Sequence, residues 1–361
     1  MVDLPEPKWM EIQSYKGIYT VEFDDTCIER FTHRDFDTTH FIVDRKVAQL
    51  YPEELQTVLE APSVLLLDAL ETNKSLEKLP DYVEFLVDKG IRRNHTLIAI
   101  GGGIMQDISS FLSATLLRGI EWIFFPTTLL SQADSCIGSK SSINCRGTKN
   151  ILGTFTPPKK IYLSTSFLRT LELSELKSGV GEMLKVHAIA GPQDFQSIAS
   201  EFDSLFNNSE MMMKRIRRSL EIKKDYIEKD EFDSGARLIF NYGHSFGHAI
   251  EAATNFAIPH GIAVSIGCDM ANYCAAKLGV STDKIWKEMS STFKANYQGF
   301  EKVDIPFKTF LYALRKDKKN IGKNSFTLIL PNNKAKIFKD SYSDNPRLRG
   351  IFKDFLTKFK N

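Results

Sequence analysis

Residues 96–117 read T-L-I-A-I-G-G-G-I-M-Q-D-I-S-S-F-L-S-A-T-L-L. The first five are bulky and apolar, of strand length, and end at glycine. After Gly103 the spacing turns helical and stays so to Leu117. A strand, a glycine cluster and a helix in that order are half of a parallel strand–helix–strand unit. Bare backbone at such a turn lets a phosphate approach the helix N-terminus. The glycines lack the G-x-G-x-x-G spacing, so alone they mark a tight turn more readily than a nucleotide site.

Outward from this stretch the same alternation continues. Strand-like runs stand at 41–43, 64–67, 122–125 and 161–163, with helical spacing at 47–59 and 76–89. The pattern predicts an α/β, Rossmann-like domain with a parallel sheet covered by helices on both faces. Asp44 follows the strand at 41–43, where acids of dinucleotide folds accept from a ribose hydroxyl. With Gly101 to Gly103 it points to a bound nucleotide. A polar run follows at 126–150, rich in Ser, Thr, Gly and Asn, with Asp134, Lys140, Arg146 and Lys149 among them. A long loop of this kind inside a compact domain is usually functional, and lysines among small donors suit a phosphate or polyhydroxyl substrate.

Beyond about residue 170 helical patterns dominate. This divides the chain into a 1–170 NAD-binding α/β domain and a 171–361 mostly helical metal- and substrate-binding domain. Helices are expected at 173–189, 210–230, 243–254, 261–278 and 306–316, with one late strand at 327–330. Three of the seven histidines, His244, His248 and His260, fall within 24 residues of Arg237. His244 and His248 share a helix face. Two histidines and a carboxylate make a common catalytic zinc set, and Glu182, His244 and His260 are able to supply it from three helices. His248 then stays available for proton transfer or a substrate phosphate. Lys185, Lys223, Arg237 and Asn241 add cationic and amide donors. A nicotinamide half with a metal half describes an enzyme acting on a phosphorylated polyol, and metal-dependent alcohol dehydrogenases fit the same description.

Composition narrows the partners. With 47 basic and 45 acidic residues the net charge is +2, which gives no reason to expect nucleic acid or membrane binding. The five cysteines form no C-x-x-C pair and read as free thiols of a reducing compartment. The acidic, Pro-containing N-terminus does not read as a signal peptide, and no apolar run reaches membrane length. A cytoplasmic location is expected.

Several ordered motifs resemble those of the sugar phosphate cyclases, and within them the 3-dehydroquinate synthase family. They are G-G-G-I-M-Q-D, P-T-T-L-L-S-Q-A-D-S, G-S-K-S-S-I-N, K-N-I-L-G-T-F, G-E-M-L-K and N-Y-G-H-S-F-G-H-A-I-E followed by P-H-G-I-A-V. The resemblance spans about 41–330. It implies an NAD domain and a helical metal domain with the active site in the cleft between them. It implies zinc or cobalt on Glu182, His244 and His260, and NAD contacts at Asp44, Glu71, Lys74, Gly102, Gly103, Asp107, Thr127 and Thr128. Catalysis falls to Lys140, Lys185, His248, Asn150 and Asp134. Substrate binding falls to Lys149, Lys223, Arg237, Asn241 and one of Lys318 and Lys319. Arg118 matches an arginine that crosses to the neighbouring site of a homodimer.

The implied reaction converts 3-deoxy-D-arabino-heptulosonate 7-phosphate to 3-dehydroquinate. NAD⁺ transiently oxidises a substrate alcohol, phosphate is eliminated, the hydride returns, and an intramolecular aldol step closes the ring. Arg237, Asn241 and His248 look like the set that holds the substrate carboxylate, which sedoheptulose 7-phosphate lacks. A related cyclase using that or another sugar phosphate is the alternative. Four positions depart from the family pattern: Ser139 and Ser142 replace glycines, Gln106 replaces a glycine, and Ile262 replaces a glutamate.

Overall fold

A computed structural model describes residues 8–28, 36–317 and 324–360. The chain divides into two compact units, Met1–Leu171 with Lys223–Phe232, and Glu172–Ile222 with Asp233–Asn361. The sequence reading left 223–232 in the second half, whereas this segment packs with the first unit. Its glutamates explain why: Glu228 accepts from the Gln13 amide at 2.9 Å and Glu231 from the Ser14 hydroxyl at 2.8 Å.

The first unit contains β1 (Trp9–Ser14), β2 (Gly17–Phe23), β3 (Thr39–Asp44), α1 (Arg45–Leu50), α2 (Gln56–Leu59), β4 (Val64–Leu67), α3 (Leu79–Asp88), β5 (Thr96–Gly101), α4 (Gly103–Thr115), β6 (Glu121–Pro126), β7 (Ile143–Cys145), β8 (Thr148–Leu152) and β9 (Lys160–Leu163). Seven strands form one sheet in the order β1-β2-β9-β6-β5-β3-β4. All neighbours are parallel except the β1–β2 hairpin. The four strands read from the first half and the strand at 161–163 are present. The β1–β2 hairpin lies outside that reading. Its alternating burial leaves Trp9 and Ile18 exposed, so it carries no continuous apolar run.

One expected helix, 47–59, is two: α1 ends before Tyr51 and α2 begins at Gln56. Pro52 is the reason. It lacks an amide donor and forces the residue before it out of helical geometry, and Tyr51 sits at φ −129°, ψ 50°. The polar run at 126–150 is not structureless. It opens with a π-helical turn, Ser131–Ser135, and continues into the β7–β8 hairpin.

The second unit contains α5 (Leu173–Ala190), α6 (Pro192–Ser200), α7 (Ser209–Ile227, whose last residues count with the first unit), α8 (His244–Ala253), α9 (His260–Leu278), α10 (Asp283–Tyr297), α11 (Phe307–Arg315), β10 (Ser325–Pro331), β11 (Ile337–Ser343) and α12 (Pro346–Phe359). The late strand pairs with β11 as an antiparallel hairpin. α9 is the axis of this unit, buried from Gly261 to Ala275. Such a helix is mostly hydrophobic or small all round because neighbours cover it, and its buried Asp269 and Asn272 are hydrogen-bonded, to Trp286 and Tyr297 and to Tyr242. No described helix is long and apolar enough to cross a membrane.

Two buried imidazoles make the fold acid-sensitive. His40 bonds Ser63 Oγ at 2.7 Å and His95 Nδ1 at 2.9 Å. Burial, then the charge of His95, pushes His40 down to about 4. Burial likewise lowers His187 to about 4, against the pull of the Met183 carbonyl. The unfolded value is about 6.5, so between these limits the folded chain holds fewer protons than the unfolded one. Stability is therefore lost as pH falls from about 6.5 through about 4. We expect the urea midpoint to drop over this window, with His40→Gln removing on the order of 1 kcal/mol of the pH dependence. A flat midpoint from pH 7 to 4 would refute the linkage.

Candidate active site

In the first unit the functional residues gather at the carboxyl ends of β3, β5 and β6. β3 pairs with β4 on one side and β5 on the other, so the chain order reverses at β3. Ligands of open α/β sheets bind outside the strand ends at such a switch point. Asp44 ends β3, Gly101 ends β5, and Thr127 follows the Pro126 end of β6. Gly102 is the N-cap of α4, and a Cβ there would meet the Thr128 methyl at 2.9 Å. A Cβ on Gly103 would meet nothing within 4 Å. The start of α4 thus has room beside Gly103, and the first amides of a helix lack intrahelical partners, an arrangement that suits a pyrophosphate.

Asp44 has a local duty as well. Its Oδ1 accepts from the Lys46 amide at 2.9 Å and caps α1. Burial raises its pKa, and the capping bonds oppose that rise. Lys74 is buried and central. Its Nζ bonds Asp107 Oδ2 and Asn150 Oδ1, each at 2.9 Å, and lies 3.5 Å from Glu71 Oε1. Asp107 accepts the Ser142 amide and hydroxyl at 2.8 and 2.9 Å. Asn150 holds a left-handed φ of 52°, a conformation asparagine tolerates. Lys140 and Lys149 are exposed. Lys223 Nζ lies 2.6 Å from both the Asp134 carboxylate and the Asp134 carbonyl. Arg118 is exposed, directly after a second left-handed residue, Leu117.

In the second unit glycines bring the ligand-type residues together. A Cβ on Gly181 would strike the Gly261 carbonyl, and a Cβ on Gly261 would strike the Ser178 carbonyl, both well inside contact distance. The backbones of α5 and α9 touch there. The residues beside these glycines, Glu182 and His260, consequently meet: Glu182 Oε1 lies 3.3 Å from His260 Nε2 and 3.5 Å from His244 Nε2. Zinc bonds of about 2.0–2.1 Å in a tetrahedron place ligand atoms about 3.3–3.4 Å apart. Both histidine nitrogens sit about that edge length from Glu182 Oε1, which suits a tetrahedral ion.

The ring surroundings agree with this. His244 Nδ1 lies 3.3 Å from the Tyr242 carbonyl and His260 Nδ1 lies 3.2 Å from Glu251 Oε2. Both partners accept, so the tautomer with the proton on Nδ1 satisfies them and would leave Nε2 able to ligate. Burial disfavours a charge on His260, but the hydrogen bonds and charges of Glu182 and Glu251 outweigh it and push the imidazolium up to about 10. The spot is prepared for a cation. The ring nitrogens of His244, His248 and His260 also lie within 4.8 Å of one another. Glu182 is buried beside both rings while His248 is exposed, so Glu182 fits a third ligand position better.

Lys185 is almost fully buried, with Nζ 2.5 Å from Glu182 Oε2 and over the Phe240 ring. Arg237 and Asn241 occupy the short helix Ala236–Asn241, and Asn241 donates to the Leu238 carbonyl at 3.1 Å. Lys318 and Lys319 lie outside the described residues. Glu251 carries a contact that no motif reading assigned. It was detectable: it stands seven residues after His244, on the same helix face.

Models described as 3-dehydroquinate synthase N-terminal and C-terminal match residues 64–178 and 179–320. The chain belongs to the 3-dehydroquinate synthase family. It is therefore an enzyme. A 3-dehydroquinate synthase of Clostridium tetani is 33% identical over 298 residues, 80% of this chain and 78% of the relative. One of Campylobacter fetus is 38% identical over 247 residues, 67% and 70% of the two chains. Among solved structures, a 2-deoxy-scyllo-inosose synthase complexed with carbaglucose-6-phosphate, NAD⁺ and Co²⁺ has a TM-score of 0.81 at 18% identity, covering 97% of this chain and 99% of that one. A 2-epi-5-epi-valiolone synthase from Streptomyces hygroscopicus with NAD⁺ and Zn²⁺ bound has 0.81 at 22%, covering 94% and 97%. An iron-containing alcohol dehydrogenase reaches 0.62 at 14%, covering 93% and 97%.

The departures from the family pattern now have locations. Ile262 is fully buried in α9. Ser139 is buried beside Lys140. Ser142 adds its hydroxyl to Asp107. Gln106 does not obstruct the start of α4, since its amide turns to Ser135.

Proposed function

We propose that this chain is a 3-dehydroquinate synthase, converting 3-deoxy-D-arabino-heptulosonate 7-phosphate to 3-dehydroquinate and phosphate with NAD and a zinc or cobalt ion. The observation that carries this reading is the convergence of Glu182 Oε1 on two histidine Nε2 atoms at 3.3 and 3.5 Å in a member of this family. When bound, the ion supplies Lewis-acid polarisation and NAD a hydride acceptor that later returns the hydride.

The chain's own residues do the rest. Gly102, Gly103 and the start of α4 hold the pyrophosphate, and Asp44, Glu71, Lys74, Asp107, Thr127 and Thr128 fix the remainder of the dinucleotide. Lys74 favours the charged form of Glu71 and opposes the rise that burial imposes on Asp107, and it holds both in place. Arg237, with a planar fork suited to carboxylate, reads the acid end of the substrate with Asn241. Lys140, Lys149, Asn150 and Lys223, the last oriented by Asp134, stabilise the phosphate and the negative charge that develops next to the ketone. Lys185 holds an ammonium beside Glu182. His248, one turn from His244 and exposed, carries a proton to or from the substrate. Of the carboxylates named here, Asp107, Asp134 and Glu182 each face a lysine or a histidine, which suits a reaction in which the departing phosphate takes the proton.

Arg118 acts from a second copy of the chain. Its support is the exposed position and the two consecutive left-handed residues that present it, a strain kept where function needs it.

The test measures phosphate release and product identity with NAD and zinc present. The heptulosonate phosphate should turn over without net NADH. Turnover of sedoheptulose 7-phosphate instead, or stoichiometric NADH, would overturn the assignment in favour of another cyclase or of a dehydrogenase. Arg118→Ala in the same assay should weaken substrate use only in the oligomeric form, and a fully active monomer would remove the role given to Arg118.

A further inference from the structure

A glutamine buried in a helix is costly unless both ends of its amide are bonded. Gln106, 5% exposed in the first turns of α4, has both ends used by one residue. Its Nε2 donates to the Ser135 carbonyl at 2.6 Å, and the Ser135 hydroxyl donates to its Oε1 at 2.8 Å. Ser135 closes the π-helical turn Ser131–Ser135, in which the Cys136 amide donates to the Ser131 carbonyl at 2.9 Å. On the other side Gln132 Nε2 donates to the Pro126 and Ser164 carbonyls at 2.9 and 2.8 Å. A π turn is the less stable hydrogen-bonding pattern and persists where something holds it. Were it to relax to α geometry, the side chains within and after it would shift in helical phase, by up to about 100°. The residue before Ser135 is Asp134, whose carboxylate and carbonyl both lie 2.6 Å from Lys223 Nζ.

We propose that Gln106 is a positioning residue for substrate affinity: its two-point clasp on Ser135 keeps the π turn closed and so fixes the Asp134–Lys223 pair. This rests on the proposed function, which gives that pair to the substrate. The next residue of α4, Asp107, clasps Ser142 further along the same polar segment. One turn of helix therefore holds both flanks of the segment that carries Lys140.

The experiment compares wild type with Gln106→Leu, which keeps the bulk and loses both bonds, and Ser135→Ala, which loses one. Loss of a buried two-bond clasp should raise KM for the heptulosonate phosphate about tenfold with kcat within about twofold. In protein free of NAD and metal, amide exchange at Ser135 and Cys136 should quicken about tenfold, while NAD affinity stays unchanged. Ser135→Ala should give a smaller effect and add nothing to Gln106→Leu, since both act through one clasp. Unchanged KM and unchanged exchange, or a shift in unfolding midpoint alone, would overturn the proposal. If wild type fails to use the heptulosonate phosphate, the function reading falls, and the exchange result still decides the clasp. Should Gln106→Leu not fold, Ser135→Ala carries the same two measurements.

Discussion

His260→Ala should lose tight metal retention and on the order of 10³-fold in turnover, while NAD binding stays close to wild type. The expectation follows from position. His260 Nε2 is one of two nitrogens set about a tetrahedral edge from Glu182 Oε1, and a site with one histidine and one carboxylate holds zinc poorly. The ring also sits on the first residue of α9, so truncating it leaves the packed length of that helix untouched. Metal content of the purified variant after dialysis is the direct readout. One tightly held ion in His260→Ala would mean that the ligands are elsewhere, with His248 the nearest substitute. Glu251→Gln provides a graded companion. It keeps the shape but weakens the acceptor for His260 Nδ1, and loss of such an outer partner lowers metal affinity about 10- to 100-fold. Chelator competition should therefore rank wild type, Glu251→Gln and His260→Ala in that order.

Gly261→Ala is expected to be the most destabilising small substitution in the second unit, by about 3 kcal/mol or more, at the upper end for overpacking. A Cβ there meets the Ser178 backbone carbonyl, which cannot rotate aside as a side chain would. α5 and α9 must separate, and Glu182 and His260 separate with them. The variant should show a lower urea midpoint together with weaker metal binding. Gly350→Ala is the control. Gly350 is exposed on α12 with nothing near its missing Cβ, so alanine should stabilise by about 0.5–1 kcal/mol through helix propensity. If Gly261→Ala unfolds at the wild-type midpoint and holds metal as tightly, the close approach is not what sets the site.

Much of the first unit was legible because its strands are buried on both faces and read as apolar runs. The hairpin β1–β2 was not, since one face of each strand is exposed and the run is broken by polar residues. The helix expected over 47–59 failed at Pro52, a residue whose effect is local and readable. The 223–232 segment could not be placed from the sequence. It continues an uninterrupted helical pattern out of α7, and only its contacts with β1 assign it to the first unit.

For the candidate site, chemistry types were legible and distances were not. A glutamate, two histidines at helical spacing and a third before a glycine announce a metal set in any order of packing. A strand ending in three glycines announces a phosphate turn. The sequence alone therefore determined which functional groups are available, because those are properties of side chains and short-range spacing. Only the tertiary structure decided which of them meet. Glu182 and His260 lie on different helices, and they come within 3.3 Å because Gly181 and Gly261 let two backbones touch, a condition that neither helix expresses by itself.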